Sequence, residues 1–190
     1  GNDGLVAPKI GCFPSTTIDP ARSCLLFIDL QARLMPAIAC SDVLLSNARR
    51  LAEAAKIFDI PVLVTEENKA GLGETVDALA QFSDTVFPKK MFDATKESGW
   101  QQFLPHSRRD VVVAGCEAHV CVLQTVIGLL QAGHGVRVVR DAVGSRTDEN
   151  REGGLQRAAR FGADIVTTEM VIFEWLEGCD HTHFRNVLDL

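Results

Sequence analysis

A cysteine, an aspartate and a lysine each follow an apolar run in this 190-residue sequence, and together these residue types can carry out acyl transfer. Cys121 comes after the run VVVAGC and a short polar segment, where a helical pattern begins. Unpaired N–H groups and the dipole at a helix N-terminus favour the thiolate, the nucleophilic form of a cysteine. A nearby aspartate can take the thiol proton and return it to a leaving group. Such a set predicts acyl transfer or hydrolysis through a covalent thioester-like intermediate.

The partners of Cys121 have to come from distant parts of the chain. Asp29 ends the run SCLLFIDL, and Lys89 and Lys90 end the run TVFPKK. A lysine can keep the aspartate ionised, and the turn before Cys121 can present backbone N–H groups to an oxyanion. Each residue also has an ordinary structural alternative: a core cysteine, a turn or helix-capping aspartate, and solvated lysines. The chemistry therefore depends on whether the fold brings these side chains together.

Strand-like apolar runs alternate with helical patterns along most of the chain. We predict strands at 23–30, 62–67, 85–92, 110–116, 135–143 and 163–169, and helices at 41–59, 119–133, 148–162 and 170–178. The segment 70–82 is predicted as a Gly-rich turn followed by a short helix, and 98–107 as a short helix with its connection. This alternation predicts a doubly wound, Rossmann-like α/β/α sandwich of three layers, with a mainly parallel sheet of about six strands. Ligands of such sheets bind at the carboxyl ends of the strands, which is where the three candidate residues stand.

Composition favours one globular domain that is not a nucleic-acid-binding protein. Hydrophobic residues make up 46% and charged residues 23% of the chain, as in ordinary globular proteins. Residues 1–20 contain three prolines and read as an irregular arm, and 21–190 read as a single domain. The net charge of −6 argues against nucleic acid as a partner, because non-specific binding depends on Lys and Arg neutralising phosphates.

Cysteine usage and hydropathy suggest the cellular setting. The six cysteines contain no CxxC motif and are too sparse for the disulfide framework of a secreted domain. The sequence shows no basic segment followed by an apolar one at its start, and no run of about 18 apolar residues. We therefore expect a soluble, cytoplasmic protein without a membrane partner.

Three segments resemble, in order, those of the isochorismatase-like cysteine hydrolases, in particular the metal-free isochorismatase-domain branch. They are LLFIDLQ, FPKKMFDA and GCEAHVCVLQT, and the similarity runs from about residue 21 to 190. The resemblance implies a hydrolase of a small amide, ester or related C–N or C–O substrate. Cys121 would be its nucleophile, Asp29 its general acid and base, and Lys89 the third member of the catalytic triad. Lys89 stands three residues before the aromatic Phe92, as the family's lysine does, but the KK pair leaves Lys90 open.

The resemblance also implies an oxyanion hole before the nucleophile. In the family a cis peptide bond lies there, at Cys116–Glu117 in this sequence, and helps to aim the N–H groups of Glu117 and Cys121 at the substrate oxygen. His119 either lines the pocket or bonds locally, and both interpretations stay open. The candidate pocket residues are Met35, Glu66, Phe92 and His119.

We expect no metal and no cofactor. Related nicotinamidases bind a metal through an aspartate and closely spaced histidines after the second strand, but the first histidine here is His106. Nicotinamide is therefore disfavoured as the substrate. The apolar terminal helix and the family both suggest a homo-oligomer, a dimer or tetramer. Two other functions remain as alternatives: a catalytically silent scaffold or interaction protein, and a nuclease, which the acidic balance disfavours.

Overall fold

The computed structural model describes residues 16–190, so residues 1–15 of the predicted N-terminal arm lie outside the described part. The described strands form one six-stranded sheet in the order β3-β2-β1-β4-β5-β6, and every neighbouring pair is parallel. The strands are β1 Ser23–Ile28, β2 Val62–Glu67, β3 Thr85–Lys89, β4 Asp110–Cys116, β5 Gly135–Gly144 and β6 Asp164–Val166. The predicted doubly wound parallel sheet is thus confirmed.

Helices cover both faces of this sheet. They are α1 Ser41–Ile57, α2 Lys69–Leu72, α3 Asp77–Ala80, α4 Trp100–Phe103, α5 Leu123–Gln131, α6 Asp148–Arg160, α7 Thr168–Leu176 and α8 Phe184–Leu188. Three short 3₁₀ turns (Pro20–Arg22, Met35–Ala37, Ala94–Lys96) and one π turn (Ala118–Val122) complete the described elements. None of the described helices is long and apolar enough to cross a membrane.

The inner strands are buried on both faces, which explains why their sequences are almost continuously apolar. All six residues of β1 are buried. Because side chains alternate along a strand, Leu25 and Phe27 pack into the core under α1 and α7, whereas Leu26 and Ile28 pack into the core under α5 and α6. Two hydrophobic cores, one on each face, therefore hold the sheet between its helix layers.

Two predicted helices differ from the observed ones. The segment 70–82, predicted as a Gly-rich turn and a short helix, contains two single helical turns, α2 and α3, separated where Gly73 has a positive φ of 79° and Thr75 pairs with Gln31 in an isolated β-bridge. The helix predicted at 119–133 begins instead as the π turn, and its regular part starts at Leu123. Periodicity alone does not detect either interruption, since both depend on contacts with the end of β1 or β4.

The C-terminal region also differs from the prediction. The predicted strand at 163–169 is reduced to β6, because the side chain of Thr167 accepts a hydrogen bond from the N–H of Met170 and so caps α7. The short helix α8 was not predicted.

The sheet order places a topological switch point between β1 and β4. The chain leaves β1 towards β2 and β3 on one side, and later returns to place β4, β5 and β6 on the other. Loops after β1 and β4 therefore diverge, and they leave a crevice at the carboxyl edge of the sheet where ligands of such folds bind.

Candidate active site

Asp29 directly follows β1 at this crevice and is fully buried. Its φ of 54° lies in the left-handed region, which Asp adopts more readily than most residues. One carboxylate oxygen, Oδ1, accepts a hydrogen bond of 2.7 Å from the hydroxyl of Thr65 on β2. The backbone turn and this hydrogen bond together fix the direction of the Asp29 carboxylate.

Lys89, the last residue of β3, reaches Asp29 across β2. Its Nζ lies 2.9 Å from Asp29 Oδ2 and 2.6 Å from Glu67 Oε2, and its side chain is fully buried. The same ammonium donates to the backbone carbonyls of Met91 at 3.2 Å and Phe92 at 3.3 Å. The next residue, Lys90, is exposed and donates to Asn68 at 2.8 Å. Of the two lysines, the fold brings only Lys89 to Asp29.

Cys121 completes the cluster from the other side of the switch point. One ligand atom each of Asp29, Glu67 and Cys121 lie within 4.8 Å of one another, and Cys121 is 7% exposed. The cysteine belongs to the π turn Ala118–Val122, which leads directly into α5. The predicted placement of a thiol at the beginning of this helical segment is therefore what the structure shows.

Two glycines allow the segment around Cys121 to pack closely. Gly115 on β4 has a φ of 136°, and a Cβ there would collide with the main-chain carbonyl oxygen of Ile28. Gly154 on α6 lies against the π turn, so that a Cβ would be 2.7 Å from the carbonyl oxygen of Ala118. Gly115, the glycine of the apolar run VVVAGC, is thus required because β4 approaches β1 closely just before the turn.

The surroundings of Cys121 favour the thiol, contrary to the expectation of a stabilised thiolate. Burial raises the pKa of Cys121 well above the value of a free thiol, and the Asp29 carboxylate raises it further. Lys89 lowers this pKa only in part. Burial would lower the pKa of Lys89, but Asp29 and the hydrogen bond to Glu67 outweigh it, so the pKa of Lys89 is raised and Lys89 stays charged. Burial and Asp29 thus favour the protonated thiol, and a base is needed to ionise Cys121.

The peptide bond between Cys116 and Glu117 is cis, at the position where the resemblance placed one. The Cys116 thiol lies 3.3 Å from the backbone oxygen of Asp29. The Glu117 side chain accepts hydrogen bonds of 3.1 Å from the backbone N–H and the Nε of Arg146. The carboxylate of Glu117 is therefore balanced by a neighbouring guanidinium.

The predicted pocket residues do not all lie in one place. Met35 is buried, with its sulfur 3.9 Å from that of Cys116. Phe92 is 52% exposed, while its carbonyl accepts from Lys89. His119 Nδ1 lies 2.9 Å from the hydroxyl of Ser145, which is 26 residues further along the chain. That Met35, Phe92 and His119 line the substrate pocket stays a prediction.

Glu66 is not part of the cluster. Its carboxylate accepts hydrogen bonds of 2.7 and 2.8 Å from the N–H and hydroxyl of Thr75, and so holds the loop between α2 and α3. Glu66 and Glu67 point to opposite faces because consecutive strand residues alternate. Glu66 therefore binds Thr75 and not Lys89, and its place in the substrate pocket stays a prediction.

Glu67 is the carboxylate that joins the cluster, although it is not among the site residues predicted from the sequence. Glu67 and Lys89 are partners in the β2–β3 register. The side chain of Gln31 fixes the backbone of Glu67 with two hydrogen bonds, of 2.8 and 2.9 Å. Burial raises the pKa of Glu67, and the hydrogen bond from Lys89 opposes this rise. The alternation of side chains along β2 predicts this, because Glu67 lies on the same face as Thr65, which contacts Asp29.

Asp29, Glu67 and Cys121 have the types and spacing of metal ligands. However, the ammonium of Lys89 contacts both carboxylates and already supplies the positive charge between them. A cation bound there would meet Lys89 at close range, so this donor set is poorly suited to a metal.

Comparison with known proteins is consistent with the fold and the order of these segments. The sequence profile of the Isochorismatase domain matches residues 23–170. Isochorismatase domain-containing protein 1 of Danio rerio is 34% identical over 177 residues, which cover 91% of this chain and 62% of that protein. The chain thus spans less than two thirds of that relative's length.

Solved structures show the same architecture. The MAR1 ribonuclease from Caenorhabditis elegans is 36% identical, with a TM-score of 0.86 over 92% of this chain and 91% of that one. The YcaC gene product of Escherichia coli, described as an octameric hydrolase of unknown specificity, has a TM-score of 0.82 over 93% of this chain and 96% of that one. At 23% identity, this second likeness shows the fold alone. The match to the domain profile, over more than half of the chain, shows that the chain belongs to the isochorismatase-like hydrolase family.

Proposed function

We propose that this protein is a cysteine hydrolase that cleaves a small amide, ester or related C–N or C–O substrate. Asp29, Lys89 and Cys121 would be its catalytic triad. The observation that carries the proposal is the buried contact of 2.9 Å between Lys89 and Asp29, with the Cys121 sulfur within 4.8 Å of an Asp29 oxygen. This is the arrangement that a thiol with a raised pKa needs, since the base is already oriented beside it.

In the proposed mechanism, Asp29 takes the thiol proton while the Cys121 sulfur attacks the carbonyl carbon. An S–C bond forms, and the carbonyl oxygen becomes an oxyanion that the N–H groups of Glu117 and Cys121 stabilise. When the C–N or C–O bond breaks, Asp29 gives its proton to the leaving group and a thioester remains. Water then attacks the thioester with Asp29 as base, the S–C bond breaks, and the proton returns to Cys121.

The test is a screen of small amides and esters with wild type, Cys121→Ala and Cys24→Ala. Cys24 is a matched control, because it is also buried but lies near the start of β1. We expect Cys121→Ala to lower kcat/KM by roughly a thousandfold or more and Cys24→Ala to leave it nearly unchanged. A thioester adduct on Cys121, trapped by acid quench and located by mass spectrometry, would support the covalent step. Full turnover by Cys121→Ala would rule the proposal out and favour a non-catalytic role for the fold.

Ribonuclease activity is the second candidate, because a structure that is 36% identical carries that name. The net charge of −6 and the two carboxylates beside Cys121 both disfavour binding of a phosphodiester. RNA cleavage should therefore be absent from purified protein. Cleavage that is present in wild type and lost in Cys121→Ala would assign it to this site, whereas cleavage equal in both would indicate a contaminating enzyme.

We also infer that the protein assembles with copies of itself. The helix α7 leaves Met170 and Phe173 exposed at 51% and 43%, respectively, next to the exposed Glu169. An exposed apolar helix face is typical of a protein–protein contact. The YcaC protein of the same fold is described as an octamer.

A further inference from the structure

We propose that the site accepts substrates whose reacting end carries no negative charge, and that Glu67 sets this selectivity. The inference rests on the proposed hydrolase function, because it concerns what approaches the Cys121 sulfur. Three observations support it: the charges inside the cluster, the use of the Lys89 protons and the nature of the rim.

The cluster holds more negative than positive charge. Asp29 and Glu67 contribute two carboxylates, and Lys89 contributes one ammonium, with side chains that are only 1%, 9% and 0% exposed. Charges that are buried in this way are poorly screened by salt. A substrate atom that reaches Cys121 therefore meets a net negative field, since both carboxylates have an oxygen within 4.8 Å of the sulfur.

Lys89 has no proton left for an anionic substrate group. An ammonium has three N–H donors. Its Nζ already lies within hydrogen-bond distance of four acceptors, namely the two carboxylates and the backbone oxygens of Met91 and Phe92. A substrate carboxylate would have to displace one of these buried partners and leave it without a donor, which is costly.

The charged groups next to the cluster do not reverse this balance. Lys90 points away and donates to Asn68. Glu97 accepts from the backbone N–H groups of Lys90 and Met91, and adds negative charge. On the side of the π turn, the charge of Arg146 is matched by Glu117 at 3.1 Å.

The two residues that contact Lys89 through their backbone oxygens have apolar side chains. Met91 and Phe92 are 47% and 52% exposed, although their backbone oxygens contact Lys89. Such a rim favours the approach of an uncharged or apolar group and offers nothing to solvate an anion.

The test compares alkylation of Cys121 by iodoacetamide and by iodoacetate, which differ mainly in charge. In both reactions the thiolate sulfur forms a bond to the CH₂ carbon, the C–I bond breaks and iodide leaves. The ratio of the two rates does not depend on the fraction of Cys121 that is ionised, because both reagents attack the same thiolate sulfur. Peptide mass spectrometry follows Cys121 in the folded protein and in the same protein unfolded in urea, at about pH 9, where free thiols are ionised.

We expect the iodoacetamide-to-iodoacetate ratio at Cys121 to be at least roughly tenfold higher in the folded than in the unfolded chain, as for one uncompensated charge a few ångströms away. The exposed residue Cys40 should show no such change between the two states. Equal ratios for Cys121 in the folded and unfolded chain would overturn the proposed selectivity by charge. This comparison uses the wild-type protein alone.

Glu67→Gln tests the assignment to Glu67, and Glu66→Gln is its matched control. Both remove one carboxylate from adjacent buried positions, but only Glu67 contacts Lys89. Glu67→Gln should bring the ratio most of the way back to the unfolded value, and Glu66→Gln should leave it high. Equal effects of the two variants would overturn the role of Glu67. Neither result depends on turnover, so a failure here is distinct from a failure of Cys121→Ala to abolish hydrolysis.

Discussion

Asp29 acts on Cys121 in two opposite ways at the scale of single residues. Its negative charge raises the pKa of the thiol, and so it keeps Cys121 protonated at rest. As the proposed base, it also removes that proton when a substrate is in place. In the proposed mechanism, the same carboxylate therefore suppresses unproductive ionisation of Cys121 and supplies the proton transfer that turnover requires.

Asp29→Asn should separate these two effects. Without the negative charge the pKa of Cys121 falls, so more thiolate is present at any pH below that pKa and alkylation by iodoacetamide becomes faster. Turnover should nevertheless fall by about 10²–10⁴-fold, because the base is lost. Asn tolerates the left-handed backbone found at Asp29, so the fold should persist. The measurement is the pH profile of Cys121 alkylation beside kcat/KM.

A purely structural Asp29 predicts a different result. In that case the variant would lower alkylation and turnover together, or change neither. Opposite changes of the two rates are therefore required for the proposed role of Asp29.

Lys89 and Lys90 provide a second test at the residue scale. Lys89→Met leaves Asp29 and Glu67 buried without their cation, so we expect a loss of roughly 3–5 kcal/mol in the free energy of unfolding, together with the loss of turnover. Lys90→Met removes an exposed ammonium and should change stability by no more than about 0.5 kcal/mol. Urea denaturation and kcat/KM measure both.

Lys89→Arg keeps the positive charge, so it tests the role of Lys89 even if Lys89→Met fails to fold. A planar guanidinium cannot reproduce the four contacts of a single Nζ atom. This variant should therefore fold but turn over slowly. Normal stability and activity of Lys89→Met would contradict the buried ion cluster as the site.

At the scale of elements, the π turn is positioned by its packing against α6. Gly154 on α6 faces this turn, and a Cβ there would lie 2.8 Å from the Cα of His119. The adjacent residue Gly153 is exposed, with no atom within 4 Å of a Cβ built on it. Packing against the π turn therefore requires glycine at position 154 but not at position 153.

Gly154→Ala should lower stability by about 1–3 kcal/mol, since it overpacks a contact between backbones. Because it displaces the turn that carries Cys121, it should also lower kcat/KM by as much as roughly 10²-fold. Gly153→Ala should instead raise stability by about 1 kcal/mol through helix propensity and leave activity unchanged. Thermal melting and steady-state kinetics check both. Identical behaviour of the two variants would show that the α6 contact does not position the turn.

At the scale of the whole molecule, the sheet order and the exposed face of α7 are the main features. Phe173 contributes to the proposed contact between copies, so wild type should elute above the monomer mass of 20.7 kDa in size-exclusion chromatography with light scattering. Phe173→Glu should reduce the measured mass, because a charge would be buried in an apolar contact. Val86 on the edge strand β3 is similarly exposed, so Val86→Glu is the control and should leave the mass unchanged. A monomeric wild type would contradict the inferred assembly.

The sequence by itself determined the strands, the fold class and the neighbourhood of the site. Apolar runs such as SCLLFIDL reveal buried strands because parallel strands in a covered sheet are apolar on both faces. The alternation of strands and helices fixes a parallel sheet, and a parallel sheet collects its ligand-binding residues at one edge. Asp29 and Cys121 could be selected in this way, with the help of the family resemblance.

The tertiary structure decided which side chains meet and what charge surrounds them. Glu66 and Glu67 are the same residue type at adjacent positions, but side chains alternate along a strand. Glu66 therefore contacts the loop between α2 and α3, and Glu67 contacts Lys89. The sequence showed a helix terminus beside Cys121, which favours the thiolate, whereas burial and Asp29 favour the thiol. Burial and distances between charges depend on residues far apart in the chain, such as Asp29 and Lys89. For this reason local patterns could find the candidate residues but not the electrostatic environment that acts on them.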